Sequence, residues 1–231
     1  VRAITAALIA AETDFKHISA IFVAHEHSDH IKSLASISKR HRIPVFANKK
    51  TLSAILRSCQ KCDDSLFVEM ETGRAAQGGE MTVRSFGTSH DSAESVGYVI
   101  SAGNAAISTV TDLGCMTDDI IENIHKSDLV LLESNHDKEM LVGGAYPYFL
   151  KRRILSDKGH LSNDDCAITA LKLIKSGVRT LILGHLSNEN NTPEIAFKTT
   201  EEYLSRNGIK INRDILLKTA PRLTPSEIFE V

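Results

Sequence analysis

The sequence predicts an α/β protein built in layers, with helices outside mixed β-sheets. Short apolar runs rich in β-branched residues alternate with helical patterns near both ends of the chain. Consecutive strand patterns fill the middle, from residue 65 to 110. No linker-like stretch, internal repeat or low-complexity segment divides the 231 residues, so we expect one domain over 1–231.

The N-terminal part alternates helices and strands. Residues 1–12, rich in Ala, Leu and Ile, favour a helix, and the apolar run 18–24 favours a buried strand. From residue 30 to 41, apolar residues recur with helical spacing, and cations gather at the end of the run, where they suit the helix dipole. Pro44 stops this helix, and a short strand over 45–47 follows.

The rest of the chain continues both patterns. Turn signals at Gly78-Gly79 and Gly103-Asn104 predict antiparallel pairing among the strands between 65 and 110. Thr192 followed by Pro193 is typical of a helix N-terminus. Further strands are expected over 65–70, 80–86, 95–101, 104–110, 128–133, 179–184 and 209–217, and further helices over 49–57, 117–126, 162–176 and 193–206.

Composition excludes several functional classes. Hydrophobic residues make up 42% and charged residues 24% of the chain, which is typical of a globular protein and excludes a disordered or fibrous one. The formal net charge of −2 points to no particular partner, although a local basic patch could still bind nucleic acid. No apolar run reaches about 18 residues, so no membrane helix is expected. The four cysteines do not resemble a disulfide framework and, with no export signal visible, favour the cytoplasm.

A cluster of potential metal ligands follows the strand predicted over 18–24. His25 and His27 lie two residues apart in extended chain, so they project to the same side and can bind one ion. Asp29 and His30 begin the next helix, point elsewhere and suit a second ion close by. Imidazole and carboxylate ligands together favour zinc, manganese or iron over calcium. A polar loop with chance histidines is the alternative, which this density of ligands disfavours.

Three more candidate ligands each follow a predicted strand. They are His90, Asp112 and His185. α/β proteins place their active sites where strands end in loops. Taken singly, each residue is as often a capping or hydrogen-bonded structural residue, but their coincidence with the histidine cluster favours a role as ligands.

These residues resemble a known family. The motif HxHxDH, followed in order by His90, Asp112 and His185, is similar to the metallo-β-lactamase superfamily. A larger set of segments resembles its YycJ/WalJ (VicX) branch of metal-dependent hydrolases. The segments are HEHSDHIKSL, SFGTSHDSAESVGY, TDLG, LLESNHDKEML, YPYFLKRRILSDKGHLSNDDCA and LGHLSNENN.

The resemblance implies a four-layer αββα sandwich with two divalent metal ions, zinc or manganese, at the open edge of the sheets. The family opens with a Ser/Gly-rich strand pair and an Asp-Ala-Gly turn, which do not precede Val1, so we expect an N-terminally incomplete domain that lacks these strands. The resemblance further implies that His25, His27 and His90 hold the first ion, that Asp29, His30 and His185 hold the second, and that Asp112 bridges both.

The resemblance also implies a reaction. Two metals about 3.5–4 Å apart can share one water and lower its pKa, so that the resulting hydroxide attacks an ester phosphorus or a carbonyl carbon. His160 matches a histidine of the nuclease branches, including RNase Z, that contacts the scissile phosphate or helps the leaving group; a helix cap is the alternative. With Asp29 and Asp112, it is assigned to catalysis. We expect a 5′-to-3′ DNA exonuclease, with RNA left open as a substrate.

A basic stretch with neighbouring aromatic residues suits a phosphate backbone and stacked bases, although the charge pattern alone favours a solvated helix face. We expect Ser162, at the start of the next helix, to take part by presenting backbone amides to a phosphate. The basic residues are Lys151, Arg152, Arg153 and Lys158, preceded by Tyr146, Tyr148 and Phe149.

Other functions stay open. A hydrolase of small esters, thioesters or lactams on the same metal centre predicts a narrow apolar pocket and little salt dependence. A non-catalytic regulator tied to cell-envelope signalling is disfavoured by the intact ligand set. Cys59 and Cys62 form a CxxC motif, but no second pair lies at a suitable spacing, so a structural zinc there is the weaker interpretation.

Overall fold

Two units make up the chain in the computed structural model, which describes residues 1–222 and 224–231. Unit 1 comprises Val1–Gly87 and Ser92–Ala102 with the C-terminal tail, and unit 2 comprises Thr88–Asp91 and Gly103–Arg222. The expectation of one domain over 1–231 stays a prediction. Among the described residues, no helix has the length and apolar character needed to cross a membrane.

Unit 1 combines two small sheets with helices. The first sheet is parallel and consists of β1 (Ile21–Phe22), β2 (Val45–Ala47) and β3 (Phe67–Glu69), in that order. The second is antiparallel and consists of β4 (Ala75–Gly78), β5 (Met81–Gly87) and β6 (Val96–Ala102). The helices are α1 (Arg2–Ala10), α2 (Ser28–Ile31), α3 (Leu34–His41) and α4 (Lys49–Ser58).

Side chains along the parallel sheet of unit 1 alternate between its two faces, and each face buries a core. On one face, Val23 and Val45 pack with Leu52 and Ile55 of α4. On the other face lie Phe22 and its partner across the strands, Phe46, whose rings stack with their centroids 4.9 Å apart. The sheet is therefore covered by helices on one side.

The antiparallel sheet covers the second face. Phe22 and Phe46 pack there against a buried cluster that includes Val83 and Tyr98. The hydroxyl of Tyr98 donates a hydrogen bond to the backbone carbonyl of Val23, at 2.8 Å. Unit 1 thus has helices, a parallel sheet and an antiparallel sheet in successive layers.

Unit 2 is built on a parallel sheet in the order β10-β9-β8-β7. Its strands are β7 (Ala105–Val110), β8 (Leu129–Glu133), β9 (Thr180–Gly184) and β10 (Leu216–Thr219). The central strands, LVLLE and TLILG, are apolar and largely buried, as expected of strands covered on both faces. Parallel strands end at the same edge of a sheet, so Asp112, Glu133 and His185 come together there.

The helices of unit 2 have the sequence signals expected of their ends. Ser162 caps α8, its hydroxyl accepting a hydrogen bond from the backbone of Asp165, and Thr192 caps α9 in the same way, with Pro193 at the first helical position. α8 packs against α9. The helices are α5 (Asp118–Ile124), α6 (Lys138–Gly143), α7 (Tyr148–Ile154), α8 (Asn163–Ser176) and α9 (Pro193–Arg206).

The structure differs from the sequence prediction in strand pairing. Antiparallel pairing was expected throughout 65–110, but β3 pairs in parallel with β2. The helix α4 connects these two strands, and a crossover of this kind is what parallel pairing requires. β4, α6 and α7 were not predicted as separate elements.

Two element boundaries also differ. The helix expected over 30–41 is divided into α2 and α3, with a break at Lys32 and Ser33. The strand expected over 209–217 begins only at Leu216, because the preceding residues form a turn in which the Asp214 carboxylate accepts a hydrogen bond from the Lys210 backbone at 2.8 Å.

Tyr98→Phe tests the contact between the two sheets of unit 1. We expect the free energy of unfolding to fall by about 1–3 kcal/mol, because the Val23 carbonyl stays buried without its donor. Urea denaturation followed by circular dichroism measures the change. Tyr148→Phe, at a side chain that is 75% exposed, is the matched control. Equal stability of the two variants would contradict a role for the Tyr98 hydroxyl.

Candidate metal centre

The carboxylate of Glu133, the last residue of β8, organises the polar edge of unit 2. The side chain is completely buried. Its Oε1 accepts hydrogen bonds from Nδ1 of His160 and Nδ1 of His185, both at 2.7 Å. Its Oε2 accepts from the backbone N–H groups of Leu113, at 2.9 Å, and Leu161, at 3.4 Å. One carboxylate therefore fixes side chains and backbone from three separate loops.

These hydrogen bonds keep Glu133 ionised. Burial by itself would raise the pKa of Glu133, but the hydrogen bonds from His160 and His185 and the charge of those side chains outweigh it and lower the pKa to about 2. An ionised carboxylate can only accept hydrogen bonds, so both imidazoles carry a proton on Nδ1. Their Nε2 atoms are then the ones left for other partners.

Asp112 lies beside the Nε2 atoms of two histidines. Its Oδ1 is 3.4 Å from Nε2 of His185 and 3.8 Å from Nε2 of His90. Nδ1 of His90 is 3.1 Å from the carbonyl oxygen of Gly159, which can only accept, so this nitrogen carries the proton. Burial lowers the pKa of His90 and favours its neutral form, in which Nε2 has a lone pair.

This set of donors fits a divalent metal ion. In their neutral forms, His90 and His185 each place a lone pair near a carboxylate oxygen of Asp112, an arrangement that a cation between the groups would stabilise. Ligand atoms around a tetrahedral zinc ion lie about 3.4 Å apart, which matches the separation between His185 and Asp112. Glu133 supplies the outer carboxylate that typically orients a metal-binding histidine.

The backbone at this edge adopts an unusual conformation at two of the predicted ligands. Asp112 and His185 have φ angles of +59° and +56°, in the left-handed region that few residues other than glycine adopt. Such a conformation costs about 1–3 kcal/mol and persists only where the surroundings impose it. Asn135 provides part of this restraint, since its Nδ2 donates to the carbonyl of His185 at 2.8 Å.

The loop before His160 is held against the segment that carries His90. A Cβ on Gly159 would lie 2.1 Å from the carbonyl oxygen of Ile154, so only glycine fits there. The hydroxyl of Ser89 donates to the carbonyl of Asp157 at 2.5 Å. These contacts place His160 with its ring centroid 5.1 Å from that of His90.

Unit 1 brings its own histidines together. His25, which is fully buried, lies with its ring centroid 4.6 Å from that of His27 and 4.1 Å from that of His30. Asp29, in the exposed first turn of α2, has its Oδ2 3.8 Å from Nε2 of His30. Unit 1 therefore offers a second group of imidazoles next to a carboxylate. Of the seven predicted ligands, four therefore lie together in unit 1, and the other three lie together in unit 2.

Two of the predicted substrate-binding residues make contacts within the protein. Nζ of Lys151 donates to the backbone carbonyls of Val142 and Gly144, both at 2.7 Å, and so caps the C-terminal end of α6. The guanidinium of Arg153 forms paired hydrogen bonds with the carboxylate of Asp91. These contacts tie both cations to neighbouring loops, and their contact with substrate stays a prediction.

The other predicted substrate residues are more accessible, with one exception. Arg152 lies over the ring of the exposed Tyr148, 5.9 Å from its centroid, and Lys158 is exposed. Ser162 is buried, and its hydroxyl is used by the cap of α8, where it lies 2.5 Å from Oδ2 of Asp165. Binding of substrate by Arg152, Lys158 and Ser162 also stays a prediction.

Glu133 is not among the site residues that the sequence predicted. The available signal was an acidic residue at the end of an otherwise apolar strand, LVLLE, which is an uncommon place for a charge. In the structure Glu133 lies opposite Gly184, directly before His185. This pairing places the carboxylate between the two histidines that it holds.

The two cysteines of the CxxC motif lie side by side. The Sγ atoms of Cys59 and Cys62 are 2.8 Å apart. Within residues 1–222 and 224–231, no His, Asp, Glu or further Cys joins them in a group of three potential ligands. Burial raises the pKa of Cys62 to about 12, so its thiol is protonated at neutral pH. The pair packs beside the core under α4.

Comparison of sequences identifies similar proteins. The β-lactamase superfamily domain matches residues 3–186. Exodeoxyribonuclease YycJ of Bacillus anthracis is 34% identical over 218 residues, which cover 94% of this chain and 83% of that protein. Exodeoxyribonuclease WalJ of Streptococcus pneumoniae is 33% identical over 216 residues, which cover 93% of this chain and 80% of that protein. The resemblance stated from the motifs is confirmed.

Solved structures confirm the expected metallo-β-lactamase fold. Zn²⁺-bound PqqB from Methylobacterium extorquens has a TM-score of 0.66 at 14% identity and covers 90% of this chain and 73% of its own. The metallo-β-lactamase fold protein YhfI from Bacillus subtilis has a TM-score of 0.62 at 17% identity and covers 84% of this chain and 75% of its own. At these identities the likeness shows the fold alone.

Glu133→Gln tests whether the buried carboxylate supports metal binding. We expect the affinity for zinc to fall by about 10–100-fold, because His160 and His185 lose the charged acceptor that orients them. Competition with a chromogenic chelator measures this affinity. Glu122→Gln, at an exposed position of α5, is the control and should bind zinc like the unmodified protein. Unchanged affinity in Glu133→Gln would contradict the role given to Glu133.

Proposed function

Because the chain belongs to the β-lactamase superfamily, we propose that it is a metal-dependent exodeoxyribonuclease, which hydrolyses phosphodiester bonds at the end of a DNA strand. One observation carries the proposal: a buried carboxylate, that of Glu133, orients His160 and His185 beside Asp112. The relatives named exodeoxyribonucleases, which align with 93–94% of this chain, support DNA as the substrate.

We further propose a dinuclear centre of zinc or manganese ions. The support is the order of the motifs, which follows the superfamily, and the grouping of imidazoles with a carboxylate within each unit. In this proposal His25, His27 and His90 would hold the first ion, Asp29, His30 and His185 would hold the second, and Asp112 would contact both.

The bound ions would supply Lewis acidity toward the phosphate and lower the pKa of a nearby water. His160 would serve the leaving group. Glu133 holds Nδ1 of His160, so Nε2 is the atom that would give a proton to the substrate. A water oxygen would bond to phosphorus and release one proton to solvent, while the bond from phosphorus to O3′ breaks. O3′ would take the proton from Nε2 of His160, and solvent would restore that proton before the next turnover.

The proposed direction is 5′-to-3′, which releases one nucleoside 5′-monophosphate in each turnover. The products follow from the bond that breaks: the terminal nucleotide leaves with its 3′-hydroxyl, and the shortened strand keeps a new 5′-phosphate. The cytoplasm is part of the same proposal, because the four cysteines are free, as is usual for proteins of a reducing compartment.

The substrate and polarity are tested on linear DNA labelled at the 5′ or the 3′ end, with RNA of the same sequence and with Zn²⁺ or Mn²⁺ added. We expect early release of the 5′ label as a mononucleotide, and affinity for DNA that falls steeply with salt. Release of the 3′ label first would contradict the polarity. If none of the strands is cleaved and a small ester is hydrolysed at a rate that does not depend on salt, the small-molecule alternative replaces the nuclease proposal.

His160→Ala tests the role of His160 in the leaving-group step. We expect kcat on DNA to fall by about 10²–10⁴-fold while the metal content stays the same, because general acid catalysis is lost and the proposed ligands are intact. Metal analysis of the purified variant accompanies the kinetics.

Asp112→Ala is the contrasting variant. It should lose both metal and activity, because it removes the carboxylate that His90 and His185 face. If His160→Ala retained full turnover, the residue would be a structural partner of Glu133 alone.

A further inference from the structure

A cavity of about 410 Å³ lies beside His160 within unit 2. Pockets for small ligands in proteins span about 300–1,000 Å³, so this volume suits a ligand of about nucleotide size. Met116 and Leu155 line part of the wall, and α8 lines another part. Leu155 is 47% exposed, which leaves an apolar surface uncovered next to the candidate metal centre.

One face of α8 runs along the cavity. Ser162, Asp165, Ile168 and Lys172 all line it, and their spacing of three and four residues places them on the same side of the helix. From Ser162 to Lys172 the helix rises about 15 Å. Ile168 is 42% exposed although it is apolar, and Lys172 is exposed at the far end. This face therefore offers an apolar surface followed by a cation.

The wall also contains a buried histidine whose polar atoms are not satisfied. His136 is 1% exposed and lines the cavity, and neither of its ring nitrogens has a hydrogen-bond partner within the described parts of the chain. Leaving such a group unpaired costs about 1–3 kcal/mol. The wall of the cavity therefore contains an unsatisfied polar side chain.

The two lysines that line the cavity differ in their ion pairs. Nζ of Lys138 lies 3.2 Å from the carboxylate of Asp165 and 3.6 Å from that of Asp164, so two carboxylates more than offset its charge, and Asp157 adds a further acidic residue to the lining. No carboxylate of residues 1–222 or 224–231 forms an ion pair with Lys172. A phosphate group in the cavity would therefore find its uncompensated cation at the end of α8.

We propose that this cavity binds the nucleotide that leaves in each turnover, with O3′ beside His160, the base against Leu155 and Ile168, and the 5′-phosphate toward Lys172. The inference rests on the proposed function, because His160 gives its proton to O3′ and the leaving nucleotide must lie on its side of the phosphate. The bond changes are those already given: O3′ leaves phosphorus and takes a proton, and the water oxygen replaces it.

Product inhibition and binding test the inference. Deoxyadenosine 5′-monophosphate, deoxyadenosine and inorganic phosphate are each titrated into the zinc-loaded protein by calorimetry and assayed as inhibitors of DNA cleavage. We expect the monophosphate to bind at least tenfold more tightly than either fragment and to compete with DNA ends. Equal affinity for inorganic phosphate would mean that the phosphate binds the metal ions alone and would overturn the inference.

The variants compare two exposed lysines on the same helix. Lys172→Glu should weaken binding of the monophosphate at least tenfold, and Lys175→Glu, with the same change of charge but outside the cavity, should change it less than twofold. Ile168→Glu, at a position that is already exposed, should also weaken binding, since the base loses its apolar contact.

The outcomes separate this inference from the proposed function. If the unmodified protein cleaves DNA but Lys172→Glu and Lys175→Glu bind the monophosphate equally, the assignment of the cavity falls and the nuclease stands. If the unmodified protein cleaves no DNA with either metal, the proposed function falls, and the inference that rests on it falls too.

Discussion

The chemistry of unit 2 depends on one buried charge. An ionised carboxylate without partners is very unfavourable in a protein interior. Glu133 offsets this with donors on both oxygens, two of them imidazole N–H groups and two of them backbone N–H groups. The same contacts decide which nitrogen of His160 and His185 carries the proton. Stabilising the charge of Glu133 and orienting His160 and His185 are therefore one requirement.

The sequence was sufficient to find the candidate ligands that follow strands at the site, but it could not find Glu133. Asp112 and His185 stand out because each follows an apolar strand in a loop rich in polar residues. Glu133 belongs to a strand, and its function arises from the pairing of β8 with β9, which places it opposite Gly184. His160 is 27 positions away along the chain. No local pattern records a contact of that kind.

Contacts between distant parts of the chain also explain why the sequence did not predict the pairing of β3 or the contacts of the basic stretch. Helices and strands with strong periodicity, such as α8 and α9, were predicted closely because local propensity and capping agree with the fold. Whether β3 joins a parallel or an antiparallel sheet depends on the crossover before it. A run of cations likewise does not reveal that Arg153 pairs with Asp91, 62 positions earlier.

The position of the proton donor has a consequence for the outcome of the proposed reaction. A group that protonates O3′ lies on the side of the leaving fragment, so space on that side limits what can leave. The cavity beside His160 has a volume of about 410 Å³, close to that of a nucleotide-sized ligand. Cleavage next to a strand end places a single nucleotide in this cavity. Cleavage within a strand would require the rest of the strand to extend through the cavity. In the proposed enzyme, a single nucleotide released from a strand end thus matches the volume beside the general acid, and this match involves no recognition of a base sequence.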